Sequence, residues 1–248
     1  MDKRLQVILE NLEQNRLGLD DEFQFKCAGC GKCCKHREDI LLTTRDLHNI
    51  AGELNLSMEN AIERYCETYI GQDSRVPLVR LRPQGSDRVC PLLRDRRCIV
   101  HKAKPAVCTL YPLGRAIMRD KDGEDLSSGG ISPIYFIQPV TCGSRTHTHT
   151  VRAWLDKFGI PAEDEFYAIW NETLFFLSGY FRGLEDKKTP SRVMDLLWGI
   201  AFDALYIAYD PDQDLLPQFR RNAASLKALL LNPEASVLAE PRPALTGA

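Results

Sequence analysis

The chain has 248 residues, of which 44% are hydrophobic and 27% are charged, and its formal net charge at pH 7 is −2. This composition is typical of a soluble globular protein with one large or two small domains. The chain contains no internal repeat and no low-complexity tract, so a repeat or fibrous architecture is excluded.

The first element predicted is an N-terminal helix over residues 1–22. Leu5, Leu9 and Leu12 recur three or four positions apart, and glutamate, glutamine and asparagine interrupt every apolar run. This pattern predicts an amphipathic helix and excludes a signal peptide. We therefore expect a cytoplasmic protein, in which disulfides do not persist.

Residues 26–35 read KCAGCGKCCK and contain four of the nine cysteines in the chain: Cys27, Cys30, Cys33 and Cys34. Such crowding can serve a disulfide framework, a redox pair or a metal. An odd number of cysteines in a chain without an export signal disfavours the first. Two overlapping CxxC motifs without a surrounding βαβ pattern disfavour the second. Metal binding is therefore the leading interpretation.

Two helices are predicted after this cluster. Thr43 and Asp46 have the spacing of a capping box, so a helix should begin there and run to about Leu54. A second helix should follow Ser57 and continue towards residue 70. Cys66 would then lie on its apolar face, which predicts an inert core residue and not a ligand.

Short strands are predicted further along the chain. The alternation in PLVRLRPQGSDRVC, residues 77–90, predicts a hairpin with its turn near Gly85. The apolar run ISPIYFIQP, residues 131–139, predicts another short strand.

Four later cysteines, with those of the cluster, are the candidate ligands: Cys90, Cys98, Cys108 and Cys142. The run Cys27-x2-Cys30-x2-Cys33 is similar to the three-ligand run of bacterial ferredoxins, which a distant fourth cysteine completes. A zinc site or an iron–sulfur cubane typically needs four thiolates.

Cys34 is expected not to share an ion with Cys33, because adjacent side chains point in different directions. It would serve a second site or pack inward. Eight cysteines match two four-thiolate sites, and one site with spare thiols fits the same count. His101 makes the run Cys98-x2-His101, an acceptable zinc spacing, so it is a further ligand candidate, and His147 and His149 are weaker ones.

The cysteine segments are basic although the whole chain is slightly acidic. Residues 26–37 contain four bases and no acid, and residues 88–104 contain six bases against Asp95. Because four thiolates around a doubly charged centre leave about two negative charges, nearby bases would stabilise them. A nucleic-acid surface is the rival interpretation, but neither segment interleaves aromatic residues with the bases.

Beyond residue 150 cysteine is absent and aromatic residues recur with helical spacing. Helices are predicted over 151–158, 162–182, 190–209 and 218–231. The most apolar stretch, residues 193–209, contains Asp195 and Asp203, so it predicts a buried core helix and no membrane span. Residues 233–248 hold three prolines and predict a disordered tail.

Three segments, FKCAGCGKCCK, ILLTTRDL and CPLLRDRRCIVHKAKPAVCTLYPLG, together resemble the CxxCxxCC cysteine-cluster family of zinc- or iron-chelating proteins. The resemblance covers about residues 23–145. It implies metal binding, and it places Cys142 where many members carry a last cysteine. Family members often have tyrosine at the position of His101. A similar pattern in flagellin lysine methylases implies group transfer that depends on an iron–sulfur cluster.

The predicted fold class is α+β, mostly helical, with a small cysteine-rich metal-binding domain of short strands (23–149) packed on a helical subdomain (150–232). The predicted cofactor is an iron–sulfur cluster, with [4Fe–4S] favoured, in a protein with a redox or group-transfer role. A structural zinc module and labile zinc or iron handling are the alternatives. No GxxxxGK[ST], GxGxxG or GxSxG motif is present, so no catalytic residue, substrate or protein partner is predicted.

Overall fold

The computed structural model describes residues 12–35, 40–117, 133–140 and 142–232. About 48% of these residues are helical and 20% lie in strands, which confirms a mixed α+β fold with helix as the larger part. The strands form small antiparallel sheets. The predicted tail, residues 233–248, lies outside the described residues.

The N-terminal helix ends earlier than predicted. Helix α1 spans Leu12–Asn15 and strand β1 spans Arg16–Leu17, while the first eleven residues lie outside the described part of the chain. Gly18 and Asp21 close a turn, in which the Gly18 N–H donates to the Asp21 carboxylate at 2.7 Å. Glycine and aspartate favour such turns, so the leucine spacing does not continue as a helix to residue 22.

Strand β2 (Glu22–Lys26) leads the chain into the first cysteines. It pairs antiparallel with β10 (Ser144–Thr150), and its alternation buries Phe23 and Phe25 on one face. This pairing places the start of the cysteine loop beside residues that are more than a hundred positions away.

Helix α2 (Thr44–Leu54) has the predicted capping box, and Ser57 caps helix α3 (Met58–Tyr65). The continuation of α3 to residue 70 is wrong, because strand β4 (Cys66–Ile70) begins where the helix ends. The β-branched and aromatic residues of β4 suit a strand, and the apolar alternation of its partner supplies the pairing.

A three-stranded sheet replaces the hairpin predicted over 77–90. Strand β5 (Pro77–Leu81) pairs on one side with β4 and on the other with β3 (Leu41–Leu42). Within 82–90 the ladder is reduced to one isolated bridge, between Gln84 and Val89. Strand β5 therefore pairs with β3 and β4, and not with residues 82–90.

The remaining elements of the cysteine region are short. They are β6 (Leu93–Arg94), β7 (Arg97–Cys98), a 3₁₀ turn (His101–Ala103), α4 (Ala106–Leu110), β8 (Leu113–Ala116) and β9 (Ile134–Ile137). Strand β9 confirms the prediction for 131–139, and it lies between β1 and β8.

All four helices predicted beyond residue 150 are present. They are α5 (Val151–Lys157), α6 (Glu165–Asp186), α7 (Ser191–Phe202), which continues as a π-helical turn (Asp203–Ile207), and α8 (Leu215–Leu231). Among the described residues, no helix combines the length and apolarity that a membrane crossing requires.

Two buried cores hold the molecule together. The larger joins residues of α2, α3 and the β3–β5–β4 sheet to α6, α7 and α8. The smaller contains Phe23, Phe25, Leu110 and Trp154. Both cores include residues from either side of position 150, where the composition changes. The domain division at that position stays a prediction, and the burial pattern shows that neither part has a core to itself.

Candidate metal centre

The CAGCGKCC segment forms a tight loop after β2. Gly29 and Gly31 have φ values of 60° and 70°, which glycine adopts without the steric cost that other residues incur. A 3₁₀ turn (Lys32–Cys34) follows, in which the Cys34 N–H donates to the Gly31 carbonyl at 3.0 Å. The two glycines thus fold the loop back on itself and bring its cysteines together.

The Sγ atoms of Cys33 and Cys34 are 4.0 Å apart. The expectation that adjacent side chains would diverge does not hold here, because the two sulfur atoms are in contact. Zn–S bonds of about 2.3 Å imply a sulfur–sulfur edge of roughly 3.8 Å in a tetrahedral site. The observed distance removes the geometric reason for assigning these two thiols to different ions.

Cys90 and Cys108 approach Cys34 from two other segments. The Cys90 N–H donates to the Cys34 carbonyl at 2.8 Å. Hydrogen bonding to Cys33, burial, and the charges that Cys33, Cys90 and Cys108 would carry all raise the pKa of Cys34. The hydrogen bond joins the Cys90 segment to the CxxCxxCC loop beside a partly buried thiol, and the charge of Cys108 also acts on that thiol.

Cys98 lies at the end of β7, opposite Leu93 of β6. Burial is the main cause that raises the pKa of Cys98; the charge of Cys33 acts in the same direction, while that of Lys104 opposes it. Cys98 therefore belongs to the same group of neighbouring thiols.

The buried Asp46 positions the helix that carries Cys108. One carboxylate oxygen accepts hydrogen bonds from the backbone and side chain of Thr43, and the other accepts from the Ala106 N–H at 2.7 Å. A capping residue of α2 thus also fixes the first turn of α4. Sequence reasoning found the cap but missed this second contact, which spans 60 positions.

Cys30 and Cys142 lie at another edge of the group. Burial raises the pKa of Cys142, and the charges of Cys30 and Cys33 raise it further. Its Sγ is 3.7 Å from the Tyr111 hydroxyl oxygen. The neighbouring Gly143 has a φ of 79°, and a Cβ there would lie 2.6 Å from the Lys26 carbonyl oxygen. Only glycine allows this close approach.

These positions correspond to a known family pattern. Residues 26–127 match the CxxCxxCC family. Its model is described as a "putative zinc- or iron-chelating domain", and the match confirms the resemblance on which metal binding was predicted. Metal binding by this CxxCxxCC region is supported, whereas the match does not distinguish iron from zinc.

One curated relative is an uncharacterized protein of Methanocaldococcus jannaschii, which is 25% identical over 97 residues. The aligned segment covers 39% of this chain and 49% of the relative, so the chain spans about half the length of the curated relative that it matches. No solved structure matches the chain.

Cys66, His101 and His149 have surroundings that do not favour a ligand role. Cys66 is 2% exposed in β4, and burial raises its pKa to about 12. His101 is exposed at the surface. His149 contacts the Phe25 carbonyl oxygen at 3.0 Å, and its ring lies 4.8 Å from that of Trp154. These contacts give His149 a place in the smaller core.

The donor set fits a thiophilic metal, because soft thiolates select zinc, copper(I) and iron–sulfur clusters. Within the ranges that the structure describes, however, no three cysteine, histidine, aspartate or glutamate side chains are grouped as a ready-made site. Cys27 is exposed, and its Sγ accepts a hydrogen bond from the Gly29 N–H at 3.4 Å. Side-chain rotation would therefore accompany metal binding.

Proposed function

We propose that this chain is a metal-binding protein whose centre is formed by the thiolates of the CxxCxxCC loop and of the 90–108 segment. Two contacts carry the proposal: the Sγ atoms of Cys33 and Cys34 are 4.0 Å apart, and the Cys90 N–H donates to the Cys34 carbonyl at 2.8 Å, which joins the 90–108 segment to the loop. Mutual repulsion disfavours several neighbouring thiolates, so a cation that offsets their charge would stabilise them.

The proposed ligands divide naturally into two groups. Cys34, Cys90, Cys98 and Cys108 would form one, and Cys27, Cys30, Cys33 and Cys142 would form the other. The short distance between Cys33 and Cys34 would then join two adjacent centres. A single centre that uses both of these thiols, with the others nearby, is the competing arrangement.

An iron–sulfur cluster is the cofactor that the CxxCxxC run favours, and when bound it supplies one-electron redox chemistry. The chain's own residues would hold the thiolates, all of which except that of Cys27 are partly shielded from water. Tyr111 would contribute a hydroxyl beside Cys142, since hydrogen bonds to cluster sulfurs tune the reduction potential. The proposed role is redox or group transfer.

Zinc is the second candidate, and the 4.0 Å between the Sγ atoms of Cys33 and Cys34 favours it specifically. That distance is close to the edge of roughly 3.8 Å expected in a tetrahedral thiolate site. In this case the centre would be structural, holding short elements that bury little apolar surface.

Anaerobic purification followed by metal, sulfide and absorption measurements tests the proposal. A brown protein with acid-labile sulfide and absorption at roughly 400 nm identifies an iron–sulfur cluster. A colourless protein with stoichiometric zinc identifies the second candidate. A chain that holds neither metal, and takes up neither when titrated under reducing conditions, would overturn metal binding.

A further inference from the structure

The two segments that carry most of the candidate ligands also expose many bases. We call these bases the basic face. Its exposed members among the described residues are Lys26, Lys32, Lys35, Arg88, Arg94, Arg96, Arg97 and Lys102. They come from two segments that the fold joins, since a Cβ on Gly31 would lie 3.9 Å from the Arg96 carbonyl oxygen. Arg37 lies outside the described residues.

The β6–β7 hairpin, which exposes several arginines, contains two locally unfavourable features. Arg94 and Arg97 are direct cross-strand partners, and like charges in that relation are destabilising. Asp95 and Arg96 in the turn have φ values of 47° and 63°; aspartate is common at such a position, but Arg96 stands where glycine would adopt this backbone at lower cost. Departures of this kind are expected where a segment serves binding in addition to folding.

The thiolates do not account for all of this positive charge. Among the described residues, the basic face has eight exposed bases, of which Lys35 pairs with Asp87, and one further acid, Asp95. One four-thiolate centre on a doubly charged core would offset about two positive charges, and two centres would offset about four. The described bases outnumber these charges in either case.

An apolar side chain accompanies these bases. Ile99 is 37% exposed, and its backbone N–H is held by the Leu92 carbonyl at 2.9 Å. Protein interfaces typically combine an apolar centre with a polar or charged rim. Single-stranded nucleic acid is usually bound by aromatic stacking, and the segments 26–35 and 88–104 contain no phenylalanine, tyrosine or tryptophan.

We infer that the basic face docks an acidic protein surface with an exposed aliphatic centre, over the metal centre. Ile99 would insert into the apolar part of the partner while Arg94 and Arg97 meet its carboxylates. The inference deepens the proposed function, because it supplies that centre with a protein partner. The docking itself depends on the face and not on the identity of the metal.

Fluorescence anisotropy with two labelled peptides tests the docking. One peptide repeats Glu-Glu-Leu and the other repeats Glu-Glu-Ser, at equal length and charge. We expect the leucine peptide to bind more tightly to the parent protein. The variant Ile99→Ser should bind both peptides equally. Failure of the parent to bind either peptide at low salt would overturn the inference.

Charge reversal gives the matched comparison. The double variant Arg94→Glu, Arg97→Glu keeps a like-charged cross-strand pair, and we expect at least about tenfold weaker binding of the leucine peptide, which is about 1.4 kcal/mol. The double variant Lys187→Glu, Arg192→Glu changes the charge equally on exposed residues of another surface and should retain binding. Equal weakening by both would reduce the effect to net charge and contradict the inference.

Two further measurements separate the possible failures. A single-stranded oligonucleotide of the same charge as the peptides, bound more tightly than both at about 0.15 M salt, would assign the face to nucleic acid instead. Metal content is measured on every variant. Tight binding of the leucine peptide by a parent chain that takes up no metal would overturn the proposed function and leave the docking inference intact. Lys102→Glu, outside the hairpin, provides a second charge reversal if the hairpin variant misfolds, and it should also weaken binding.

Discussion

The thiol group and the larger core are built in opposite ways. Tyr206, Phe181 and Phe219 of the core are fully buried on long helices, of which α6 alone has 22 residues. Most of the candidate thiols are partly buried, Cys27 is exposed, and they lie on loops, short turns, a two-residue strand and the five-residue helix α4. Apolar burial stabilises a fold without any ligand, whereas neighbouring thiolates repel one another. We therefore expect the larger core to hold without a ligand and the thiol loops to depend on a cation.

Polar contacts also join helix α2 of the cysteine region to the helices beyond residue 150. Asp164, which caps α6, binds both nitrogens of the Arg45 guanidinium at 2.8 and 2.9 Å, and Arg115 approaches the same carboxylate at 3.2 Å. The hydroxyl of Thr44 donates to the Leu205 carbonyl at 2.5 Å. Both contacts lie where the cysteine region meets the helices. We therefore expect the loss of structure that follows metal removal to stop at these contacts.

Metal removal is expected to have the largest effect. In metal-free protein under reducing conditions, amides of 27–34 and 90–98 should lose hydrogen-exchange protection first, because repulsion between thiolates is no longer offset. Amides of 166–181 and 194–206 should retain protection, since they belong to the larger core. Hydrogen exchange read by mass spectrometry measures both. Uniform protection, equal to that of the untreated protein, would contradict the comparison.

Substitution of one thiol should be the next largest effect. Cys34→Ser removes the side chain on which three other thiols act, and we expect most of the bound metal to be lost. Cys66→Ser is the matched control, because Cys66 is buried in β4 and should affect stability without affecting metal content. Metal analysis of both purified variants provides the measurement. Equal metal loss in the two would show that Cys66 is part of the site.

The carboxylate of Asp164 should stabilise the contact between the cysteine region and the helices beyond residue 150. Burial alone would raise the pKa of Asp164, but hydrogen bonding and the charges of Arg45 and Arg115 hold it below the ordinary value. The Asp164 and Arg115 side chains are 2% and 6% exposed. Asp164→Asn preserves a helix cap but leaves a buried arginine uncompensated, so we expect a loss of about 3 kcal/mol at neutral pH.

The same substitution should change the acid dependence of stability. A lowered folded-state pKa stabilises the protein above the unfolded pKa of about 3.9, and this contribution is lost as the pH falls through the folded value. Urea unfolding of Asp164→Asn should therefore depend less on pH below about pH 4. Asp20→Asn removes the exposed partner of Arg152 and serves as the control, with little change expected. Parallel pH profiles for parent and Asp164→Asn would refute this role.

Substitution of the capping residue Asp46 should have a smaller effect on stability, together with an effect on metal release. Asparagine has one acceptor oxygen, so Asp46→Asn cannot accept from both Thr43 and Ala106. We expect a stability loss of about 2 kcal/mol and faster release of metal to a chelator, because α4 carries Cys108.

Ser57→Ala provides the control for this prediction. It removes the cap of the neighbouring helix α3, where Ser57 accepts from the Asn60 N–H at 3.2 Å. The loss should be about 1 kcal/mol, with metal release unchanged. Chelator kinetics that respond equally to both caps would show that helix stability in general, and not the Asp46–Ala106 contact, governs the site.

The sequence predicted those parts of the fold that local patterns determine. The capping box at Thr43 and the four helices beyond residue 150 depend on caps and periodicity, which neighbours in the chain supply. Strand β4 was missed because its apolar positions also fit a helix, and only the distant strand β5 decides between the two. The sequence shows a change of composition near residue 150. It does not show that both buried cores contain residues from either side of that position.

The candidate site was predicted in its residues more than in its geometry. Spacing and the family resemblance singled out the eight cysteines as ligands, which remains a prediction. The closeness of Cys33 and Cys34 depends on the left-handed backbone at Gly29 and Gly31, a feature that the CxxC spacing does not encode. The contact between Asp46 and Ala106 links residues 60 positions apart, beyond the reach of any local pattern.

X-ray absorption at the edge of the bound metal tests the central claim most directly, because it reports the ligand atoms whichever metal is present. The account predicts a first shell of sulfur, at about 2.3 Å if the metal is zinc. The shell should lose sulfur in Cys34→Ser and remain unchanged in Cys66→Ser. A first shell of nitrogen and oxygen alone would contradict the thiolate centre, even in a protein that binds metal stoichiometrically.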